Sequence, residues 1–271
     1  MTGRPGSTRP AEQKGLPSVT SYVRETTNGS WFLRFRSAPR AAVRLLCFPH
    51  AGGGATSFRR WVDLVPDEVE VIGVQYPGRQ NRYGEPCIEE MDLLVDEILA
   101  AISPAISGPV ALFGHSMGAV VAFEVARRLR TSESISVLRL FASAGPAPSQ
   151  RRSRGIHLRD DEGLVAYVRE LGGGAELLEV EELRQIALPM VRSDVRLIET
   201  YRYVPGEPLS APITAIVGDR DHTFNVTDAR HWVLHTSAGL DVHELPGDHF
   251  YLDDQADRLV PLIVERILPR R

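Results

Sequence analysis

Residues 109–118 read Pro109-Val-Ala-Leu-Phe-Gly114-His115-Ser116-Met117-Gly118, and they are followed at once by the apolar run 119–123. An apolar strand thus meets Gly-x-Ser-x-Gly and turns directly into a segment of helical period, 117–131. In a chain with 23 glycines the bare motif is weak. The strand before it and the helix after it make it specific, because together they place the serine on a tight strand-to-helix turn. Gly114 and Gly118 leave out side chains that would collide with neighbouring backbone there. Ser116 Oγ is pushed into the open as a nucleophile. The amides at the start of the helix add positive potential where an alkoxide or oxyanion develops.

Working outward from this turn, short β-branched or apolar runs alternate with longer helical patterns. Strands are predicted at 30–35, 43–48, 69–75, 110–113, 137–143, 213–217 and 240–245. Helices are predicted near 57–65, 89–102, 117–131, 227–236 and 255–268. The alternation implies a doubly wound α/β sheet of parallel strands covered on both faces. Ligands bind such sheets beyond the carboxyl ends of the strands, so the residues just after each strand carry the chemistry. Between Gly145 and Leu209 the alternation breaks. Two helical patterns, 160–171 and 180–203, flank Gly172-Gly173-Gly174 and read as an inserted helical lid; the alternative is an extension of the surface layer.

A serine nucleophile needs a base, and the chain holds eight histidines. In the fold that carries this turn, the order along the chain is Ser, then Asp or Glu, then His. His50 is excluded by order and His115 lies inside the turn. His231 and His235 fall within a predicted helix, and His243 alternates within a strand. His249, just past the last strand in Leu245-Pro-Gly-Asp-His249, is the expected base, with His222 second. The acid should follow strand 213–217, where Asp219 and Asp221 both stand. Asp221 is preferred, because an Asp on the first step of a turn more often bonds local backbone. The oxyanion donors are expected to be the N–H of Met117, next to the nucleophile, and that of Ala51, in the loop Cys47-Phe-Pro-His50-Ala51-Gly-Gly-Gly54 after strand 43–48. Three successive glycines are also compatible with a plain flexible turn.

At 271 residues, 43% hydrophobic and 24% charged, the chain is one domain's worth of core. A net charge of −4 argues against nucleic acid as a partner. Two cysteines, Cys47 and Cys87, are too few for a disulfide framework. The opening MTGRPGSTRPAEQKGLPS lacks the apolar stretch of a secretory signal, and no run is long enough for a membrane span. Residues 1–28 are expected to form a flexible tail and residues 29–271 the domain, with the lid at about 145–209. A cytoplasmic monomer without a membrane association is the expectation.

Taken together, FPHAGGG (48–54), VQYPGRQNRYGEP (74–86), GHSMGA (114–119), LPMVRSDVRLIETYRY (188–203), GDRD (218–221) and PGDHFYL (246–252) resemble the type II thioesterases. These are the free-standing editing enzymes of polyketide and non-ribosomal peptide assembly lines, of the α/β-hydrolase superfamily. The resemblance runs from about Arg44 to Leu268; the tail before Trp31 is longer than the family leads one to expect. It implies an α/β-hydrolase fold, a mostly parallel doubly wound sheet with a helical lid. Ser116, Asp221 and His249 match the family triad, and Ala51 and Met117 its oxyanion donors. The implied substrate is an acyl group held as a thioester on the phosphopantetheine arm of an acyl or peptidyl carrier protein, and no metal or organic cofactor is implied.

The chemistry suits this reading, since a thiol with a pKa around 8.5 leaves far more readily than an alcohol or amine. A carboxylesterase or lipase acting on small oxygen esters is the alternative, because the same triad serves both leaving groups. A non-enzymatic carrier-binding protein is disfavoured by the intact Ser, Asp and His in the right order. Arg151-Arg152-Ser153-Arg154, the densest basic cluster, is a candidate docking surface for an acidic carrier, or else a solvated loop.

Overall fold

The computed structural model describes residues 31–172 and 178–268; the expected tail at 1–28 and Gly173 and Gly174 lie outside them. Seven strands form one sheet in the order β1-β3-β2-β4-β5-β6-β7: β1 Phe32–Arg34, β2 Val43–Phe48, β3 Val69–Val74, β4 Gly108–His115, β5 Ile135–Ser143, β6 Ile213–Gly218 and β7 Leu240–Leu245. All neighbours are parallel except β1, which runs antiparallel to β3 with Phe32 opposite Val74. This is the mostly parallel sheet that the resemblance implies, with one antiparallel strand at its edge. The stretch 35–42 between β1 and β2 is shorter than the dozen or so residues a crossover needs, so β1 cannot run parallel to β2.

The sequence alternation becomes two cores. Leu46, Phe48, Val110, Leu112, Leu140 and Ala142 point to one face, packed under helices α1 (Met91–Ala105) and α2 (Met117–Leu129). Leu45, Cys47, Ala111, Phe113 and Phe141 point to the other, packed with Phe58, Trp61 and the last helix. Successive residues of a strand face opposite ways, so central strands buried on both sides are apolar throughout. The segment expected as a helix at 57–65 is a 3-10 helix, Ala55–Asp63; its first N–H, that of Ala55, is taken by Gln75 Oε1 at 2.8 Å. The helix expected at 227–236 divides into a single α-turn, α5 (Val226–Ala229), closed by reciprocal Asn225 and Asp228 capping, and a 3-10 stretch Arg230–His235.

Between β5 and β6 the chain makes a helical excursion, α3 (Asp161–Leu171) and α4 (Glu181–Thr200), with no strand among its described residues. Its apolar faces form a small cluster of their own, Ile156, Leu164, Val165, Leu178, Leu188, Val191 and Val195, against which Ala51 packs. The C-terminal half of α4 belongs to the main core through Leu197 and Ile198. After β7 come the short α6 (Tyr251–Asp254) and α7 (Ala256–Ile267). No helix among the described residues is long and apolar enough to cross a membrane.

Candidate active site

Parallel registry delivers four loops to one edge of the sheet. Phe48 of β2 lies opposite Gly114 of β4, and Gly218 of β6 opposite Leu245 of β7. The loops after β2 and β4 therefore emerge side by side, as do those after β6 and β7.

The turn after β4 is as tight as its glycines require. A Cβ on Gly114 would stand 2.1 Å from the Gly118 carbonyl oxygen, and one on Gly118 2.1 Å from the carbonyl oxygen of Phe48. Any side chain at either place would drive β4, α2 and the β2 loop apart. Ser116 itself has φ 55° and ψ −113°, a conformation that is strained for a residue with a Cβ and persists only where surrounding packing imposes it. The Ser116 N–H is held by the Ser143 carbonyl at 2.8 Å.

Ser116 Oγ lies 2.9 Å from His249 Nε2, and His249 Nδ1 lies 2.7 Å from Asp221 Oδ2. The carboxylate fixes the tautomer, with the proton on Nδ1 and the lone pair of Nε2 facing the serine. The second oxygen of Asp221 accepts the Thr223 N–H at 2.8 Å, the Thr223 hydroxyl at 2.7 Å and the Phe224 N–H at 3.2 Å. Burial works against the charge of Asp221. The hydrogen bond and charge of His249, with the hydrogen bonds from the Thr223 hydroxyl and N–H, overcome it and hold the carboxyl below the usual carboxylate value. Asp219 reaches neither histidine nor serine. It accepts the N–H of Gly247 at 2.8 Å, across from the neighbouring loop, where local backbone was the expected partner. His222 is exposed and lies outside this line.

Met117 opens α2, and Ala51 lies in the turn whose Gly53 N–H donates to the His50 carbonyl at 2.9 Å. No hydrogen bond among the described residues takes up the N–H of either. Three imidazoles crowd this edge, the His115 ring centroid lying 5.8 Å from that of His50 and 5.4 Å from that of His249. Burial first, then the charges of His249 and Arg79, push His50 down to about 4. Burial also holds His115 well below its ordinary value; its Nδ1 meets Ser143 Oγ at 2.8 Å, which in turn meets Tyr251 Oη. Both rings are neutral near pH 7. The whole arrangement can remove a proton from Ser116, form an ester at its Oγ, and offer two backbone donors to a negative oxygen beside it.

Sequence reasoning missed a second set of residues at this edge. Arg79 and Asp194 form a bidentate ion pair, 2.6 and 2.8 Å, with side chains only 3% and 4% exposed. Arg79 lies in the loop after β3; its position beyond a strand end, and its place in the stretch 74–86 as that of Asp194 in 188–203, are the signals available for the pair. The arginine cluster differs from expectation: Arg151 is mostly buried beside Tyr167 and Glu199, and Arg154 stands over the Tyr167 ring at 5.9 Å with Glu170 at 3.7 Å. Of the three arginines of the run, Arg152 and Arg154 are exposed to solvent and Arg151 only partly so.

Residues 43–267 match the family model described as a thioesterase domain. The chain is 40% identical over 255 residues to thioesterase PikA5 of Streptomyces venezuelae, covering 93% of this chain and 91% of that protein. Among solved structures it resembles the type II thioesterase BorB from the borrelidin biosynthetic cluster, with a TM-score of 0.80 and 39% identity over 90% of this chain and 98% of that one. YbtT, a type II thioesterase from the yersiniabactin NRPS/PKS pathway, gives a TM-score of 0.75 at 29% identity, covering 88% and 98%. The sheet and its flanking helices are those of the α/β-hydrolase fold.

Proposed function

We propose a mechanism and a substrate for this chain, which belongs to the thioesterase family and is a serine hydrolase of acyl thioesters: it clears acyl groups from the phosphopantetheine arms of carrier proteins in polyketide or non-ribosomal peptide synthesis. The observation that carries the mechanism is the line Ser116 Oγ to His249 Nε2 to Asp221 Oδ2, at 2.9 and 2.7 Å.

As Ser116 Oγ attacks the thioester carbonyl, its proton passes to His249 Nε2. Asp221 remains ionised and stabilises the imidazolium that forms. The carbonyl oxygen, now negative, takes the N–H groups of Ala51 and Met117. Collapse of this intermediate breaks the carbon–sulfur bond, and His249 returns the proton to the departing thiolate. Water then attacks the acyl-serine with His249 as base. A second collapse releases the carboxylic acid and restores the Ser116 hydroxyl.

The 40% identity to thioesterase PikA5, over 91% of that protein, supports the hydrolysis of a thioester. The cluster and pathway named for BorB and YbtT support an assembly-line substrate, and so a carrier-protein partner. The excursion α3–α4 serves as a lid over the acyl group, a reading supported by its separate apolar cluster and its contact with Ala51. Two unpaired cysteines, Cys47 buried and Cys87 partly so, suit a reducing cytoplasm, where the proposal places a monomer.

The test is mass spectrometry of a panel of acyl-loaded carrier proteins after incubation with the protein, beside matched oxygen esters. Release of free carrier faster than hydrolysis of the oxygen ester is the expected result. The reverse order makes the protein a carboxylesterase.

A further inference from the structure

The direction of the Ala51 N–H is a consequence of how its neighbours are held. The His50–Ala51 peptide is trans, so its C=O and N–H point opposite ways. The carbonyl is turned inward by the Gly53 N–H at 2.9 Å, and the Ala51 N–H is thereby turned outward. Two buried charges hold that turn. The Gly52 N–H donates to Asp194 Oδ2 at 2.7 Å, and the Gly53 carbonyl accepts from Arg79 at 3.1 Å. Gly52 has φ +80°, and a Cβ there would lie 2.8 Å from Val191 Cγ2 of α4, so the helix sits directly on the turn. Arg79 is itself fixed from the sheet side: its carbonyl accepts Gln75 Nε2 at 3.1 Å, while Gln75 Oε1 takes the Ala55 N–H.

Asp194 stands in the middle of α4, 142 residues from Gly52 along the chain. One carboxylate thus joins the helical excursion to the turn that presents Ala51. We propose that Arg79 and Asp194 are positioning residues that aim the Ala51 N–H, so that the oxyanion hole is complete only while α4 is seated on the turn. The inference rests on the catalytic reading above and adds to it a coupling between lid and chemistry. Burial opposes the charge of Arg79, and Asp194 beside it more than offsets this, so the guanidinium is held above its ordinary value while the helix is in place. Where the contact between α4 and the turn opens, the Gly52 N–H loses its acceptor and the turn is free to rotate. Hydrolysis is then confined to the enzyme in which that contact is made.

Two variants test this. Asp194→Asn keeps the shape but removes the charge and sets an amide NH2 against a donor, either Arg79 Nη2 or the Gly52 N–H, so at least one of the three bonds to the carboxylate is lost. The double variant Arg79→Met, Asp194→Leu replaces the pair with apolar groups of similar size, which cores commonly tolerate, and removes the acceptor for Gly52. Thermal melts establish that each is folded; the double variant serves if the single one is not. Asp161→Asn, which loosens the contact from Arg192 to α3 elsewhere in the excursion, is the control. For a small acyl thioester, kcat is expected to fall roughly 10- to 100-fold with KM nearly unchanged, somewhat under the loss of a whole oxyanion donor. Affinity for an acyl trifluoromethyl ketone, which forms an oxyanion on the serine, should fall by the same factor. Affinity for the matching unreactive alcohol should stay constant, and Asp161→Asn should change neither. Folded variants with wild-type kcat and ketone affinity overturn the inference. So does a loss of binding equal for ketone and alcohol, which would make the pair part of pocket shape alone. Ser116→Ala, measured alongside, separates the two levels: an inert Ser116→Ala with a fully active Asp194→Asn removes the coupling alone, whereas an active Ser116→Ala removes the catalytic reading beneath it.

Discussion

Asp219 accepts the N–H of Gly247 at 2.8 Å, and with the Arg220 N–H on the Gly247 carbonyl at 2.8 Å the loop after β6 holds the loop that carries His249 two residues later. Asp221, two residues further along its own loop, turns the other way and receives His249 Nδ1 at 2.7 Å. Neighbouring carboxylates thus have separate tasks, one on backbone and one on imidazole. Asp221→Asn should reduce turnover on the order of 10³- to 10⁴-fold, since an amide stabilises neither the tautomer nor the imidazolium. Asp219→Asn should cost far less, because an amide oxygen still accepts the Gly247 N–H. Steady-state kinetics on both variants check this, and a larger loss in Asp219→Asn would reverse the assignment.

Ser116→Ala should abolish labelling by a fluorophosphonate serine probe and leave the fold intact, since the side chain faces the site at the end of a strand whose packing does not involve it. The strained φ of 55° adds a second expectation. Ser116→Gly should be at least as stable as Ser116→Ala, because relief of about 1–3 kcal/mol of backbone strain offsets the roughly 0.5–1 kcal/mol entropy cost of glycine. Probe labelling and thermal melts together decide both points.

Stability should decline in acid well before the carboxylates titrate. His50 and His235 are each pushed from 6.5 down to about 4, His50 by burial, then His249 and Arg79, His235 by burial and then Arg127. Below pH 6.5 the unfolded rings take up protons that the folded rings refuse, so folding weakens as pH falls from about 6.5 toward 4. The slope is at most about 1.4 kcal/mol per pH unit for each ring. Asp221 acts lower: its depressed value contributes stability above the ordinary 3.8, lost as pH falls through the folded value. Thermal melts over pH 4–8 should show the decline, with a shallower slope in His235→Gln. A melting temperature independent of pH between 6.5 and 4.5 would contradict it.

Amide exchange should divide α4 in two. Its C-terminal half is tied into the main core through Leu197 and Ile198, whereas Val180, Leu183 and Ile186 near its start are exposed, and Pro189 between them removes a helical hydrogen bond. The segment before Pro189 and α3 should exchange faster than β4 and slow when an acyl analogue is bound. Core-like protection there, unchanged by the analogue, would leave the excursion a fixed surface layer.

Much of this was legible in the chain because it is local. The Gly-x-Ser-x-Gly turn depends only on the residues before and after it, and the apolar strand runs depend on burial from both sides, so both can be read without neighbours. The loop positions of Ala51 and His249 follow from the same rule, that strand ends at one edge carry the site. Side-chain direction was not legible. Turn position alone favours Asp221 over Asp219, but only the approach of the β7 loop fixes the partner of each. Arg151 looked like part of an exposed basic run until Tyr167 and Glu199, from elsewhere in the excursion, closed around it. Arg79 and Asp194 are 115 residues apart, and neither has any local feature that names the other. A buried ion pair exists only when folding has removed water from both charges at once, and that is a property of the packed chain as a whole.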